Sequence, residues 1–396
     1  MSTGDTVAGL AGFTGRGAGS DAERRAANWL VSELGAGGRD AWIEPFWCRP
    51  NWALAHLWHV VLALAGSLVA VDSPKVGGVI VLVALLSVVA DALTGRSLGR
   101  RLSPERASQN VISTAGPDEP RIRLLLTANY DAGRTGLAYR SRLHRALVRG
   151  NRRLGYAAPG WLGWLAITLM WLMAVAIARV GGSKGTAVGA LQLIPTVALV
   201  LAAALLIELA TSDYGPAAND NASGVAAALA LARALGSGPP RNLAVEVVLT
   251  GASDGYAIGL KTHLRKRSLK RANAVVLGLA ASGEGQPRWW ASDGTLAPGR
   301  YFAALRELCE RVAREESYLN AAPHRDRGAS PALPARSAGL PAIAIGARDR
   351  DEMAPESHTQ DDTPRAGGQD ATDAVVSYGL LLVDAIDGYV GQLKRG

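Results

Sequence analysis

Ala217-Ala218-Asn219-Asp220-Asn221-Ala222-Ser223-Gly224 is the stretch on which the reading of this chain turns. It is a tight polar turn. The run from Val225 to Leu235 follows it, where Val225, Leu229, Leu231 and Leu235 among alanines predict a buried helix stopped at Gly236. A carboxylate at the mouth of such a helix can ligate a cation or accept backbone hydrogen bonds. The plainer alternative makes Asp220 and Ser223 only turn and N-cap residues.

Outward from this turn, short apolar strands alternate with helices. Ser20-Asp21-Ala22-Glu23 has the spacing of a capping box, and Ala27, Leu30, Val31 and Leu34 then share one helical face up to Gly35. Strands are expected at 41–46, at 110–114, from Arg121 to Ala128, at 242–250, at 274–279 and at 340–346. Trp289 and Trp290 suggest an edge strand, 298–314 a helix with proline at its start, and 371–393 a final amphipathic helix. The strand from Arg121 delivers Asn129-Tyr130-Asp131, and the one ending at Thr250 delivers Ser253-Asp254. This alternation predicts an α/β fold, a mixed and mostly parallel sheet flanked by helices, with polar residues at strand ends where such sheets place their sites.

Hydrophobic residues make up 48% of the 396, and the excess lies in four runs: 53–71, 76–93, 161–180 and 187–210. Each is long enough to cross a hydrocarbon core of roughly 30 Å as a helix. They form two hairpins, joined by Asp72-Ser73-Pro74-Lys75 and by 181–186, so four transmembrane helices are expected. Segments 1–50, 95–157 and 212–396 would then build one domain, interrupted by hairpins at 51–94 and 158–211. Arg96, Arg100, Arg101, Arg106, Arg140, Arg142, Arg145, Arg149, Arg152 and Arg153 flank the hairpins on the domain side, against Lys75 and Lys184 at the far joints. The positive-inside rule puts the domain in the cytoplasm, beneath an inner membrane. The net charge of +8 then reflects contact with anionic headgroups, and no nucleic-acid partner is expected because no recognition motif accompanies the arginines. Trp52, Trp58, Trp161 and Trp164 fit an interfacial belt, while His56 and His59 fit helix packing. Cys48 and Cys309 make no disulfide framework, and the N-terminus lacks a cleavable-signal pattern.

Three stretches together resemble the zinc-dependent exopeptidases, which include bacterial leucyl aminopeptidases and glutamate carboxypeptidase. They are Asp220-Asn221-Ala222-Ser223-Gly224, His358-Thr359-Gln360-Asp361-Asp362-Thr363, and the N-terminal segment from Gly15 to Asn28. The resemblance implies two zinc ions bridged by Asp220, with His358 closing the first position and Asp254 standing for that position's glutamate. It puts Ser253 where the family has its catalytic general base. It puts Asn129 and Ala280 where the second metal position has a histidine and an aspartate, and Asp131 where an aspartate orients that histidine. Asp220, Asp254 and His358 could still hold one zinc ion, so the expected cofactor is one zinc or none. Losing the base costs about a hundredfold to ten-thousandfold in rate. The expectation is an impaired peptidase that binds a peptide or protein N-terminus. The alternatives are an active mononuclear exopeptidase and a membrane scaffold whose cleft has no function. Asp361, Asp362 and Thr363 could equally be a cap before Pro364, and His324, Arg325 and Asp326 a loop lining the cleft.

Overall fold

A computed structural model describes residues 1–114, 122–140, 145–146, 148–150, 153, 158–267 and 269–393. Arg121, Arg142 and Arg152 of the sequence reading lie outside these. The chain opens with α1 (Thr3–Ala11), α2 (Asp21–Ala36) and β1 (Trp42–Cys48). Ser20 caps α2 by accepting the N–H of Glu23 at 3.0 Å, but the expected capping box is only half made. The Glu23 carboxylate turns inward instead, to Gly19, Ser108 and Ala252.

The first hairpin is α3 (Trp52–Asp72) and α4 (Pro74–Thr94), followed by the short α5 (Leu98–Arg101), β2 (Arg106–Ser113) and β3 (Ile122–Asn129). The second is α6 (Trp161–Val180) and α7 (Thr186–Thr211). All four agree with the apolar runs within two residues at each end. They pack around a core of their own, with Val60, Val81, Leu165, Leu169 and Leu199 buried. Their outer faces carry Leu68, Val79 and Leu201 at 61–68% exposure. Helices that stay apolar on the outside as well as the inside match a lipid surround, since water would penalise that surface.

Beyond α7 come α8 (Ser223–Ser237), β4 (Leu243–Thr250), α9 (Ile258–Arg267), β5 (Ala274–Leu279), β6 (Gln286–Asp293), β7 (Gly299–Arg300) and α10 (Ala303–Glu315). The chain closes with β8 (Ala322–Arg325), α11 (Leu333–Ser337), β9 (Ala342–Arg348) and α12 (Gly368–Leu393). Among the described residues five helices are long and apolar enough to cross a membrane, α12 being the fifth. The buried face of α12, with Val375, Tyr378, Leu382 and Ile386, sits in the core of the sheet domain, as its amphipathic pattern predicts.

The sheet runs β1-β2-β4-β3-β5-β9-β6-β7, with β8 alongside β6. Its centre, β4-β3-β5-β9, is parallel, and β1, β2, β6 and β7 join it antiparallel. The sheet is therefore mixed with a parallel heart, and its central strands are apolar on both faces, as double coverage requires. Two expectations are corrected. The Trp289–Trp290 strand is no edge: β6 pairs with β9 on one side and β8 on the other, which buries Trp290 completely. The helix expected over 298–314 starts five residues late. Gly299 and Arg300 pair with Asp293 and Ser292, and Tyr301 donates its N–H to Ala291, so sheet pairing outcompetes the helix there.

The quoted stretch folds as one wide turn over Ala218–Ala222 that runs into α8, and the helix continues past Gly236 to Ser237. Ser223 is not an N-cap. Its hydroxyl donates to the Asn219 carbonyl at 2.6 Å and accepts the N–H of Ser282 at 2.7 Å, tying the helix to the residues after β5. Gly224 allows this closeness, because a Cβ there would lie 2.6 Å from the Leu279 carbonyl oxygen and 2.9 Å from that of Ala280. Backbone cannot yield as a side chain would. Gly224→Ala is therefore expected to destabilise the sheet domain by about 1–3 kcal/mol, read as a lowered Tm of the detergent-solubilised protein with secondary structure retained.

Candidate active site

Turns at the carboxyl ends of β3, β4 and β9 meet with the Asp220 turn at the start of α8. Arg16 fastens two of them. Fully buried, it donates to the Tyr130 carbonyl at 2.5 Å and to those of Pro216 and Ala217 at 3.2 Å, holding the end of β3 against the Asp220 turn. Asp362 fastens a third. Its carboxylate accepts the N–H groups of Asn219 at 2.7 Å and Asp220 at 3.0 Å. Asp362 is thus a cap, though of the Asp220 turn and not of a helix before Pro364. Burial and the facing Asp220 push its carboxyl up to about 7.

Asp220 and His358 come together, with Oδ2 and Nε2 at 3.6 Å. The other ring nitrogen of His358 lies 3.2 Å from the Arg134 carbonyl, so Nδ1 carries the proton and Nε2 faces the carboxylate. Burial disfavours the charged ring, but Asp220 and Asp254 outweigh it and raise the His358 pKa. Tyr139 stacks on the imidazole with ring centroids 4.4 Å apart. Asp254 senses both partners: burial raises its pKa, His358 opposes the shift and Asp220 adds to it. Its oxygens are engaged, Oδ1 by the Trp52 indole N–H and Oδ2 by the Arg134 N–H, each at 3.1 Å.

Ser253 is held away from the cleft. Its hydroxyl donates to Asp131, whose other oxygen accepts the N–H of Ser253 at 2.8 Å and of Asp254 at 3.2 Å. Asp131 therefore shapes the turn after β4. Asn129, at the position where the resemblance expects the histidine that Asp131 would orient, accepts the Thr250 hydroxyl at 3.0 Å. Ala280 is buried and brings no donor side chain. The loop from Ala252 to Ala257 is strained, with φ positive at Ala252, Tyr256 and Ala257, and it persists because Glu23, Asp131 and Arg100 bond its backbone. His324 to Asp326 belong to β8 and its end, not to a free loop. His324 pairs with Glu352 at 2.8 Å, and Asp326 accepts the Trp290 indole N–H at 3.3 Å.

Zinc needs three protein donors aimed at one point. The Asp220–His358 pair supplies two, but Asp254 is turned to Trp52 and Arg134. Among the described residues no three His, Cys, Asp or Glu side chains form a ligand group. The donor set as it stands does not fit the ion. A concavity of about 570 Å³ opens beside His358, lined also by Glu356, Arg140 and Glu208 at the end of α7.

Glu23, Trp52 and Tyr139 were not found by sequence reasoning. Glu23 occupied a capping-box position and Trp52 the start of an apolar run, and each pattern already explained its residue. Glu23 lies beneath the strained loop, where burial and Asp131 push its carboxyl up to about 8. A carboxyl raised from an unfolded value of about 4 binds more protons folded than unfolded across that interval. Its stabilising contribution is complete below the lower value and is lost as pH climbs through the upper one. The Tm is therefore expected to fall between about pH 4 and pH 8, and to fall less in Glu23→Gln. Thermal unfolding across that range checks it.

With this geometry in place, residues 207–382 match peptidase family M28. No curated protein sequence matches the chain. Three similar solved structures are a leucine aminopeptidase precursor and a glutaminyl cyclase from Bacteroides thetaiotaomicron, and a Zn-dependent exopeptidase from Parabacteroides distasonis. The first two have TM-scores of 0.55 at 14% identity and cover 97% of this chain and 96% of their own. The third has a TM-score of 0.51 at 13% identity, covering 96% of both. At such identities the likeness speaks for the fold. Over residues 207–382 the chain is similar to peptidase family M28, and the whole has the fold of the zinc-dependent exopeptidases.

Proposed function

We propose that this is an integral membrane protein whose cytoplasmic domain uses a peptidase cleft to bind the amino-terminal end of a peptide or protein without efficient hydrolysis. Support for the membrane part comes from the two hairpins, whose far joints are short and nearly uncharged while the arginines gather on the domain side. Support for the binding part comes from Glu208, Glu356 and Asp361, which line the concavity beside His358, and from Asp220, 3.6 Å from that ring, acidic groups suited to a protonated amine.

The observation that carries the loss of hydrolysis is Ser253. It stands at the general-base position, and a hydroxyl donating to a buried carboxylate takes no proton from an attacking water. Two further losses run the same way: Asn129 and Ala280 supply no second metal position, and Asp254 is bonded to Trp52.

Full-length protein in detergent, given zinc and a panel of aminoacyl, dipeptide and amino-terminal glutaminyl substrates, is expected to show no metal-dependent turnover. Elemental analysis should find well under one zinc per chain. A peptide with a free amino terminus should bind, its acetylated form should not, and Asp220→Asn should weaken binding roughly tenfold to a hundredfold. Chelator-sensitive hydrolysis that disappears in Asp220→Ala would overturn this in favour of an active mononuclear exopeptidase. For orientation, Lys75→Cys should react with an impermeant thiol reagent on intact cells and Glu356→Cys should not.

A further inference from the structure

The cleft leaves unexplained a second concavity, of about 500 Å³, where α4 ends. Thr94 and Gly95 form one wall, α5 and Glu105 just before β2 another, and Lys261 and Arg265 of α9 a third. Six cationic side chains line it against one acid, Glu105.

Two of the six have structural duties. Arg100 is bonded to the buried Asp91 at 2.6 Å and to the Gly255 carbonyl at 3.0 Å. Arg49 donates to the carbonyls of Arg101 and Ser103 and lies 3.8 Å from Glu105, which uses the pocket's acid. The other four make no ion pair among the described residues, although the buried Asp91 acts on Lys261 through space. Arg265 has only the Thr262 hydroxyl at 3.4 Å, and Arg96, Arg101 and Lys261 have no side-chain hydrogen bond or ion pair among the described residues. Solvated surface arginines need no partner. Lys261 is different, because it is half-buried, with Nζ reaching the wall at Gly95, and burial together with Arg100 pushes its pKa down to about 8. Four like charges around one hollow repel unless an anion joins them.

The surroundings say which anion. The pocket lies where the chain leaves the first hairpin, and its rim holds Trp47 at 72% exposure, with Leu98 and Leu102 of the adjoining turn also exposed. An exposed indole and leucines beside a basic hollow at a helix end make the arrangement that seats a lipid phosphate and lets its chains run along the helices. We propose that the pocket formed by Arg96, Arg101, Lys261 and Arg265 binds the phosphate of an anionic phospholipid headgroup at the domain-side surface of the membrane. The inference rests on the membrane reading for the source of the phosphate, and on the pocket alone for the phosphate itself.

Full-length protein in neutral detergent, offered phosphatidylglycerol or phosphatidylcholine and weighed by native mass spectrometry, tests this. Wild type is expected to retain one phosphatidylglycerol in preference to phosphatidylcholine. Each basic residue near an anionic surface is worth roughly fivefold, so Arg96→Gln/Lys261→Gln should retain it about 25-fold less well. Arg311→Gln/Arg314→Gln, which removes the same charge from the exposed face of α10, should match wild type. Thermal unfolding of both double variants shows whether they are folded, and Arg101→Gln alone, expected to weaken retention about fivefold, serves if the first is not. Equal retention of the two lipids, or retention unchanged in the folded pocket variants, overturns the proposal. Inorganic phosphate that binds wild type in calorimetry without any preference for the anionic lipid overturns the lipid source. Failure of the peptide-binding measurements bears on none of these readings, because they concern the other face of the loop that holds Asp254.

Discussion

Asp131, a carboxylate that solvent does not reach, holds the active-site end of this domain together. It sits one residue beyond Tyr130 at the end of β3 and collects the N–H groups of Ser253 and Asp254 and the Ser253 hydroxyl from the end of β4. Two adjacent parallel strands are thereby given one shared terminus. Glu23 lies beneath it and bonds the same loop at Ala252, and Arg16 draws Tyr130 toward the Asp220 turn. Burial and the nearby Asp254 charge hold Asp131 up to about 7, and burial and the Asp131 charge hold Glu23 up to about 8, so both cross their midpoints near neutrality. A loop with positive φ at three non-glycine residues rests on those carboxyls.

The same interaction sets the positions of Ser253 and Asp254. The Ser253 hydroxyl completes the hydrogen bonding of Asp131 instead of facing outward. With no histidine at position 129 to orient, Asp131 serves the turn after β4. Asp254 accepts the Trp52 indole N–H at 3.1 Å, a bond that the first hairpin brings to the cleft. Each departure has a structural occupation, and together they describe a site reorganised around rigidity.

What could be read from residues alone was whatever repeats along the chain. Four apolar runs gave four helices within two residues at each end, because helices apolar on every face carry their environment in their composition. Central strands such as Ala274–Leu279 were equally plain. Asp220 and His358 could be paired only through the resemblance of their flanking turns, and they do meet. What stayed hidden depends on partners distant in sequence. Trp289 and Trp290 suggested an edge until β8, a four-residue strand too short to announce itself, covered the other side. Gly299 and Arg300 were taken from a helix by β6, and Glu23 from its cap by Gly19, Ser108 and Ala252. In each case a tertiary bond overrode a local preference that was itself sound.

The bond between Trp52 and Asp254 has a practical side. Trp52 opens α3, and the same helix sets His56 against Tyr256, whose ring lies 5.6 Å from the Arg100 guanidinium carbon. Excising the first hairpin to obtain a water-soluble fragment would delete the donor that aims Asp254 and strip the aromatic floor from the strained loop. Assays on such a fragment would report on a different cleft. The apolar hairpin and the sheet domain of this chain form one unit, to be purified and judged whole.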